Sequence, residues 1–363
     1  MKVAQNRHNK GIALIVTLTI ITLLVTVSLE LNRQIRAAVT DSAVFRDRVT
    51  LKHMIASGVN MAEAILVRDK QDSEADSIQE DWANPEKIQK YLSRLKFEQG
   101  DLSVNISDEM ARIQVNALVT FPEGRQFNET QQKLWHRFID LLLAQQEETD
   151  ESFFSESIEP AEIINPVKDW LDSGDDDAIT GLNGAEDDYY QDMDPPYSCR
   201  NGPLRHHNEL LRIKGITEEL FQSTEAAISG IGRYMTVYGM QAAENGFTYP
   251  GKININTAEI PVIAGLLPVG HEFLAPEIAA YREEKQEDEY IFELNDSKWY
   301  QQVPGCSDVA INPDLITIQS DIFRIECQGK LNDMEMAAQV VVQRHKESES
   351  GKWTCRVLSW HYE

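Results

Sequence analysis

The sequence has little positive charge and lacks the common catalytic motifs. Its 363 residues include 34 Lys and Arg against 59 Asp and Glu, which gives a formal net charge of -25 at pH 7. A chain of this charge repels nucleic acids and anionic membrane surfaces. It contains no G-x-S-x-G, no H-E-x-x-H and no glycine-rich phosphate loop. We therefore expect a protein that is not an enzyme and does not bind nucleic acid.

Cysteine is also scarce. The four cysteines are Cys199, Cys306, Cys327 and Cys355, and none has C-x-x-C spacing or an adjacent histidine. No zinc site is predicted, and three disulfide pairings remain open. Cys327 and Cys355 fall in strand-like segments, so they are either cross-strand neighbours or unpaired buried thiols.

Charge is entirely absent from residues 12–29, which read IALIVTLTIITLLVTVSL. At about 1.5 Å per residue, this stretch is just long enough to cross a bilayer as a helix. The leader before it, MKVAQNRHNKG, carries three basic residues. The positive-inside rule therefore places the leader in the cytoplasm and the bulk of the chain, beyond Glu30, on the other side.

Cleavage by signal peptidase is not predicted, because no A-x-A-like site follows Leu29. The switch from basic to apolar sequence lies instead at Gly11–Ile12, and any processing is expected there. The alternative is an uncleaved signal anchor in which the glycine has no role.

Helix breakers are missing from the N-terminal part of the chain. No proline precedes Pro85, and no glycine lies within residues 12–57. Apolar residues recur every three or four positions beyond the membrane segment. This pattern predicts one helix over residues 12–67, roughly 80 Å long, that is apolar all round at first and then amphipathic.

Strand-like alternation occurs near both ends of the remaining chain but not in the middle. The segments are 102–106, 111–118, 315–318, 323–327, 337–342 and 354–358. Between them the patterns are helical, as in 131–144 and 218–238. We therefore expect a helical insertion within an antiparallel sheet, with edges near Pro122 and Asn312–Pro313.

Residues 169–194, DWLDSGDDDAITGLNGAEDDYYQDMD, form an acidic loop with ten carboxylates and no lysine or arginine. Such crowding is unfavourable unless a cation collects the oxygens, and calcium takes six to eight. The EF-hand template fails at Ile179 and Thr180, where an acid and a glycine would be needed. Trp170, Tyr189 and Tyr190 are expected to hold both ends against packed structure. The alternative is a solvated, mobile acidic loop.

Two segments, 210–222 and 253–284, have the pattern of helix-hairpin-helix units. A phosphate-binding hairpin needs surrounding basic residues. Residues 252–289 contain three basic residues against eight acidic ones. We therefore interpret these segments as packing modules and not as DNA-binding modules.

The leader and the apolar helix resemble those of type IV prepilins. In that family a prepilin peptidase cuts after the glycine, here Gly11, and methylates the new terminus, here Ile12. Most members carry a glutamate at the fifth mature position, where this sequence has Val16. A lone carboxylate in an apolar bundle needs a neighbouring charge to neutralise. Its absence, by resemblance, fits a subunit at a filament tip.

The chain also contains a longer series of motifs: NPVKDWLD, GAEDDYY, PPY, NGPL, ELLRIKGIT, SDEMARIQVNAL, ININTAE and ITIQSDIFRIECQGK. Together they are similar to the motifs of a type II secretion minor pseudopilin, the general secretion pathway protein K family. The resemblance implies an α+β fold, with a pilin-like long N-terminal helix and a small antiparallel sheet split by a large all-α inserted domain. It also implies calcium as a structural ion. Its ligands are expected among Asp172, Asp175, Asp177, Glu186, Asp187 and Asp188.

These expectations divide the chain into a prepilin leader (1–11), a transmembrane helix (12–29), the first part of a pilin-like domain (30–121), a helical insert (122–311) and the second part of the sheet (312–363). The function implied is capping or initiating the pseudopilus, with the I and J minor pseudopilins as partners. The alternatives are a signal-anchored periplasmic binding protein and a minor pilin of a type IV pilus.

Overall fold

The computed structural model describes residues 8–148, 158–173, 179–222 and 230–362. The α-helices are α1 (His8–Asp72), α2 (Pro85–Leu92), α3 (Glu129–Glu148), α4 (Pro160–Leu171), α5 (Asp187–Gln191), α6 (Glu218–Phe221), α7 (Ile260–Leu266) and α8 (Ala275–Glu283). Short 3₁₀ helices span Asp81–Ala83, Glu109–Ala111, Val115–Leu118, His207–Arg212, Ile231–Tyr234, Glu272–Leu274 and Trp299–Gln302.

The strands fall into one sheet and four small pairs. They are β1 (Asp101–Asp108), β2 (Ile113–Gln114), β3 (Met235–Thr236), β4 (Gln241–Ala243), β5 (Gly246–Thr248), β6 (Ile253–Asn254), β7 (Lys285–Gln286), β8 (Glu289–Tyr290), β9 (Ile316–Thr317), β10 (Ile322–Leu331), β11 (Met334–Lys346) and β12 (Trp353–Tyr362). The sheet has the order β1-β10-β11-β12, and every pairing in it is antiparallel.

The two halves of the helix α1 lie in different environments. Its 65 residues extend for roughly 97 Å. Nearly all side chains from Gly11 to Arg46 are exposed, although many are apolar. The first half has a mean hydropathy of 2.7 over its most apolar window, and α1 is the one helix in the described ranges that is long and apolar enough to span a membrane. This half fits a single membrane-spanning anchor.

The second half of α1 packs against the sheet. Buried apolar positions begin at Leu51 and recur at helical spacing as far as Leu66. The closest approach is at Gly58, where an added Cβ would lie 2.9 Å from Leu102 Cδ2 and 3.0 Å from Val104 Cγ2. A larger residue there would require the side chains of Leu102 and Val104 to shift.

The sheet register separates the two cysteines that we considered as cross-strand neighbours. Cys327 on β10 pairs with Ala338 on β11, whereas Cys355 on β12 pairs with Arg344. The two positions on β11 are six residues apart, which is roughly 20 Å along a strand. All four cysteines are free thiols. Burial raises the pKa of the Cys327 and Cys355 thiols to about 12.

A second core lies in the mainly helical insert between β1 and β10. The helix α3 contributes Leu134, Trp135 and Phe138, all completely buried, and packs against α4 and α7. From α4, the side chains of Ile163 and Val167 are equally buried and belong to the same cluster. The insert therefore has a hydrophobic core separate from the one between α1 and the sheet.

Buried polar contacts join the two parts where the chain enters and leaves the insert. The side chain of Asn254 donates to the Asp76 carbonyl (2.9 Å), to Asp108 Oδ2 (2.9 Å) and to Ser320 Oγ (3.0 Å). Arg344, completely buried, forms an ion pair with Asp76 and donates to the Ser320 carbonyl at 2.7 Å. Because removing any one partner leaves another buried polar group unsatisfied, this network fixes the insert to the sheet.

The expected α+β architecture is present, and several local predictions differ. Residues 111–118 form two 3₁₀ turns around the two-residue strand β2 in place of a continuous strand. Of the helix expected at 218–238, only α6 and a 3₁₀ turn are helical in its described part. The strand predicted at 315–318 is β9, which pairs in parallel with β6 and not with the main sheet.

Candidate metal centre at the acidic loop

Three buried carboxylates meet where the acidic loop folds back on α4. Asp169, Asp172 and Glu186 each place an oxygen within 4.8 Å of the other two. Their residues are 0, 4 and 8% exposed. Two oxygens bound to one calcium ion at about 2.4 Å are at most about 4.8 Å apart. The separation of these oxygens therefore fits a single calcium ion.

Asp169 is held by hydrogen bonds from the returning loop. Its carboxylate accepts from the Thr180 backbone N–H at 3.0 Å, from the Thr180 hydroxyl, and from the Ala185 N–H at 2.9 Å. The approach is so close at Gly184 that an added Cβ would lie 2.2 Å from Asp169 Oδ2. A glycine at position 184 is therefore required for the loop to close over the carboxylate.

Aromatic side chains secure the base of the loop. Trp170 and Tyr190 meet edge to face with ring centroids 4.9 Å apart, and Tyr197 lies 5.4 Å from Tyr190. Tyr189 contacts Tyr190 at 5.2 Å. The expectation that aromatic residues hold both ends of the loop is confirmed. This packing fixes the start of α5 against the end of α4, which brings Glu186 to the two aspartates.

Lys168 supplies the nearest positive charge. Its Nζ forms an ion pair with Asp172 and lies 3.7 Å from Asp169 Oδ1. Lys168 thus neutralises part of the charge that these carboxylates carry. The chemistry of the donors, all oxygen, is the kind that calcium prefers.

The structure places the six expected ligands differently. Asp172 and Glu186 join the cluster, while Asp187 and Asp188 are exposed on α5. The Oδ1 atom of Asp187 accepts from the Cys199 N–H at 2.8 Å. Asp175 and Asp177 lie outside the described residues.

Asp169 is the candidate ligand that the sequence prediction missed. The available signal was its spacing of three residues from Asp172, which places both carboxylates on one face at the end of α4. Calcium needs more oxygens than these three carboxylates supply if each binds through one atom. Backbone carbonyls or water would provide the rest.

In a second carboxylate cluster, neighbouring cations balance the negative charge. Asp69, Asp76 and Glu80 also lie within 4.8 Å of one another. Here, however, Arg344 forms ion pairs with both aspartates, and Lys70 lies 3.2 Å from Asp76. Burial, followed by the neighbouring carboxylates, raises the pKa of Asp69 to about 8. Two fixed cations and a raised pKa balance this cluster without a metal.

The hairpin between α7 and α8 has little capacity to bind phosphate. Its Gly270 N–H donates to the carboxylate of Glu272 at 2.8 Å. The exposed apolar residues Val269 and Phe273 flank this contact. A phosphate would have to displace an acid from this backbone donor.

Comparisons with known proteins agree on one family. A family model described as type II secretion system (T2SS), protein K, matches residues 111–229. The type II secretion system protein K of Klebsiella pneumoniae is 26% identical over 219 residues, which is 60% of this chain and 61% of that protein. The protein of the same name from Pseudomonas aeruginosa is 25% identical over 272 residues, or 73% of this chain and 70% of that protein. The chain thus spans less than two thirds of the length of the Klebsiella relative.

The fold is similar to a solved structure of the same system. One chain in the crystal structure of the GspK-GspI-GspJ complex from enterotoxigenic Escherichia coli superposes with a TM-score of 0.58. The superposition covers 89% of this chain and 99% of that chain, at 16% sequence identity. The family model and the two relatives show that this chain is similar to the type II secretion system protein K family, and the solved structure shows a similar fold.

Proposed function

We propose that this protein is a minor pseudopilin that caps or initiates the pseudopilus of a type II secretion system. The observation that carries the proposal is the division of α1 into an exposed apolar half and a half packed on the sheet. An apolar helix surface of this length needs a bilayer or other helices to cover it. The insert, joined at one end of the sheet, would obstruct repeated packing along a shaft but not at a tip.

The I and J minor pseudopilins are the proposed partners. The structural relative was crystallised in a complex of GspK with GspI and GspJ. In the chain described here, residues 11–46 offer an exposed helical surface for packing against similar helices. The protein then acts by assembly and not by catalysis.

We place the bulk of the protein in the periplasm, with a single helix in the inner membrane and the leader in the cytoplasm before processing. The basic residues before Gly11 and the uncharged segment after it support this orientation. Prepilin peptidase is the proposed processing enzyme, cutting between Gly11 and Ile12 and methylating the new terminus.

Calcium is the proposed structural ion of the insert. Asp169, Asp172 and Glu186 would hold it, and the bound ion would neutralise their charge and fix the acidic loop to α4. Because these residues lie far along the chain from the membrane helix, the ion's role is to stabilise the insert and not to assist processing.

Processing can be tested with a matched pair of variants, Gly11→Val and Ala13→Val, each expressed with and without a prepilin peptidase. An added Cβ at Gly11 meets no atom within 4 Å, so the substitution leaves the fold intact. Mass spectrometry of the wild-type and Ala13→Val proteins should find a methylated N-terminus at Ile12 only when the peptidase is present. The Gly11→Val protein should keep its leader. An intact leader on the wild-type protein in both strains would refute the pilin-like route and favour a signal-anchored binding protein.

The tip role needs a separate test. Deleting residues 122–311 should leave membrane insertion and processing intact while secretion fails. Membrane fractionation and the processed N-terminus show that the shortened chain is correctly delivered. Normal secretion by a strain carrying only this shortened, processed chain would contradict the cap role.

A further inference from the structure

A polar cavity opens beside Trp170 at the aromatic base of the acidic loop. Its volume is about 770 Å³, and it lies between Trp170 and the segment 198–212. This is within the range of cavities that hold small ligands or several residues of a peptide, roughly 300–1,000 Å³. Neither the proposed calcium site nor the membrane helix makes use of it.

The cavity is lined by positive charge in a chain that is otherwise strongly negative. Arg200, Arg205 and Arg212 line it together with a single acid, Glu209. Arg200 is already committed, since it donates to the Pro203 carbonyl at 2.7 Å and to Glu209 at 3.0 Å. Glu209 therefore neutralises one arginine and leaves two.

The other two guanidinium groups are available to a ligand. Arg205 and Arg212 are exposed, and neither forms a salt bridge with any acid in the described ranges. A planar guanidinium offers paired N–H donors that match a carboxylate in a bidentate arrangement. Two such groups in one cavity favour a ligand with more than one carboxylate.

The wall of the cavity also contains unsatisfied polar atoms. Trp170 Nε1 and Asn201 Oδ1 are buried and have no hydrogen-bond partner among the described residues. The first is a donor and the second an acceptor, and both residues line the cavity. A peptide backbone carries both complementary groups, whereas a simple anion can only accept. Side-chain adjustment of Trp170 or Asn201 on binding would bring these atoms into contact with a ligand.

We propose that this cavity binds an acidic peptide segment of a partner protein, with carboxylates on Arg205 and Arg212. The net charge of -25 repels such a segment from most of the surface, so the cavity determines where it can bind. His206, also in the lining, has its ring 6.2 Å from that of His361 on β12. The bound segment thus lies where the insert meets the free edge strand of the sheet. This site does not depend on the role at the filament tip.

Binding can be measured by fluorescence anisotropy on the full-length protein in detergent micelles. The probe is a fluorescein-labelled, end-blocked peptide of alternating Glu and Asp, and its control has Gln and Asn at the same positions. The Arg205→Glu, Arg212→Glu double variant is compared with Arg94→Glu, Arg125→Glu, which makes the same charge change at exposed arginines outside the cavity. All three proteins should have the same melting temperature, because the replaced side chains are exposed.

The acidic peptide should bind the wild-type and control proteins, and more weakly as salt increases. The cavity variant should bind about a hundredfold more weakly, since each charge-assisted contact contributes about tenfold. Equal binding of the neutral peptide, equal loss in the control variant or no binding of the acidic peptide would overturn the proposal. If inorganic phosphate displaces the peptide at concentrations similar to the peptide's Kd, the cavity is a small-anion site. If the wild-type and control proteins bind phosphatidylglycerol vesicles but the cavity variant does not, the cavity is a lipid site. Either result would also overturn it.

Discussion

Replacing Asp172 by asparagine should remove much of the stabilisation expected from the proposed calcium ion, while the calcium-free protein remains folded. Asp172 is one of three buried carboxylates whose oxygens lie within 4.8 Å of one another. Asparagine keeps the size and one carbonyl oxygen but removes the charge. Asp188→Asn is the matched control, because that residue lies nearby on α5, is exposed and changes the net charge equally.

The expected size of the effect follows from ligand linkage. A ligand present at about 100 times its Kd stabilises the folded state by about 2.7 kcal/mol. In a domain of roughly 190 residues, each kcal/mol shifts Tm by about 2–4 °C, so calcium should raise Tm by about 5–10 °C. A tenfold loss of affinity in Asp172→Asn removes about 1.4 kcal/mol, or roughly half of this increase. Asp188→Asn should keep the full increase.

Asp169→Asn should behave differently from Asp172→Asn. The Asp169 carboxylate accepts hydrogen bonds from the Thr180 N–H, the Thr180 hydroxyl and the Ala185 N–H as well as facing the cluster. Its loss weakens the loop whether or not an ion is bound, by about 1–3 kcal/mol. This variant should therefore melt below the wild type both in chelator and in calcium.

Differential scanning calorimetry of full-length protein provides the assay. Each variant is stripped with EGTA, returned to calcium or to magnesium, and checked for bound metal by mass spectrometry. Magnesium should stabilise less, because it requires near-ideal octahedral geometry. An equal calcium-dependent rise in the wild type and Asp172→Asn would refute the ligand assignment. A wild-type protein shown to be calcium-loaded, yet melting identically after stripping, would refute the structural ion.

Two further predictions concern the network that fixes the insert to the sheet. Arg344→Met should destabilise the protein by about 3–5 kcal/mol in urea unfolding, because it leaves Asp76 buried without its main partner. The exposed control Arg356→Met should change the free energy of unfolding by less than about 0.5 kcal/mol. Equal effects of the two substitutions would contradict the burial argument. Burial raises the pKa of Asp108 to about 6, so its stabilising contribution is complete below about pH 4 and is lost as the pH rises through 6. The free energy of unfolding of Asp108→Asn should therefore increase by about 2–3 kcal/mol relative to that of the wild type between pH 4 and pH 7. If the difference between the two proteins does not change with pH, Asp108 is not the titrating group.

The long helix and the last three strands could be predicted from sequence because the burial of apolar side chains on one face determines each of them. Along α1 the apolar stripe continues without a proline, and without a glycine between Gly11 and Gly58, so the 3.6-residue period is clear. In β10 and β11 one face is buried and the other faces solvent, and the sequence alternates accordingly. Where burial alternates with the backbone period, sequence and structure agree.

Residues 111–118 alternate in the same manner but fold into turns, because their polar side chains are not turned toward solvent. Asn116 is completely buried and donates to the carbonyls of Leu204 and Val237 at 3.0 and 2.9 Å. Gln114 likewise donates to the Tyr238 carbonyl. Their partners lie about 90 to 120 residues further along the chain, so no local pattern could reveal them.

The acidic loop shows the same limit for a candidate site. Composition indicated an acidic loop in this region, and the resemblance implied six ligands, of which Asp172 and Glu186 lie in the cluster among the described residues. Which acids turn inward depends on the end of α4, on the Trp170–Tyr190 contact and on the close approach at Gly184. Asp169 and Asp188 look alike in sequence, yet the first is fully buried and the second is exposed.

Under the proposed export of the chain to the periplasm, the separation of β1 from its partner strand has a consequence for folding. Val104 on β1 pairs with Cys327 on β10. More than 200 residues must therefore follow β1 across the membrane before its partner strand is available. Throughout that interval the packed half of α1 has only part of its sheet to cover it. The closure entropy of so long a loop increases only slowly with length, by about 0.6 kcal/mol for each doubling. An insert that folds first around its own core brings its two ends together at Asp108 and Ser320 and converts this distant pairing into a local one. Variants that slow the insert should therefore expose α1 to periplasmic proteases for longer, even when the final fold is unchanged.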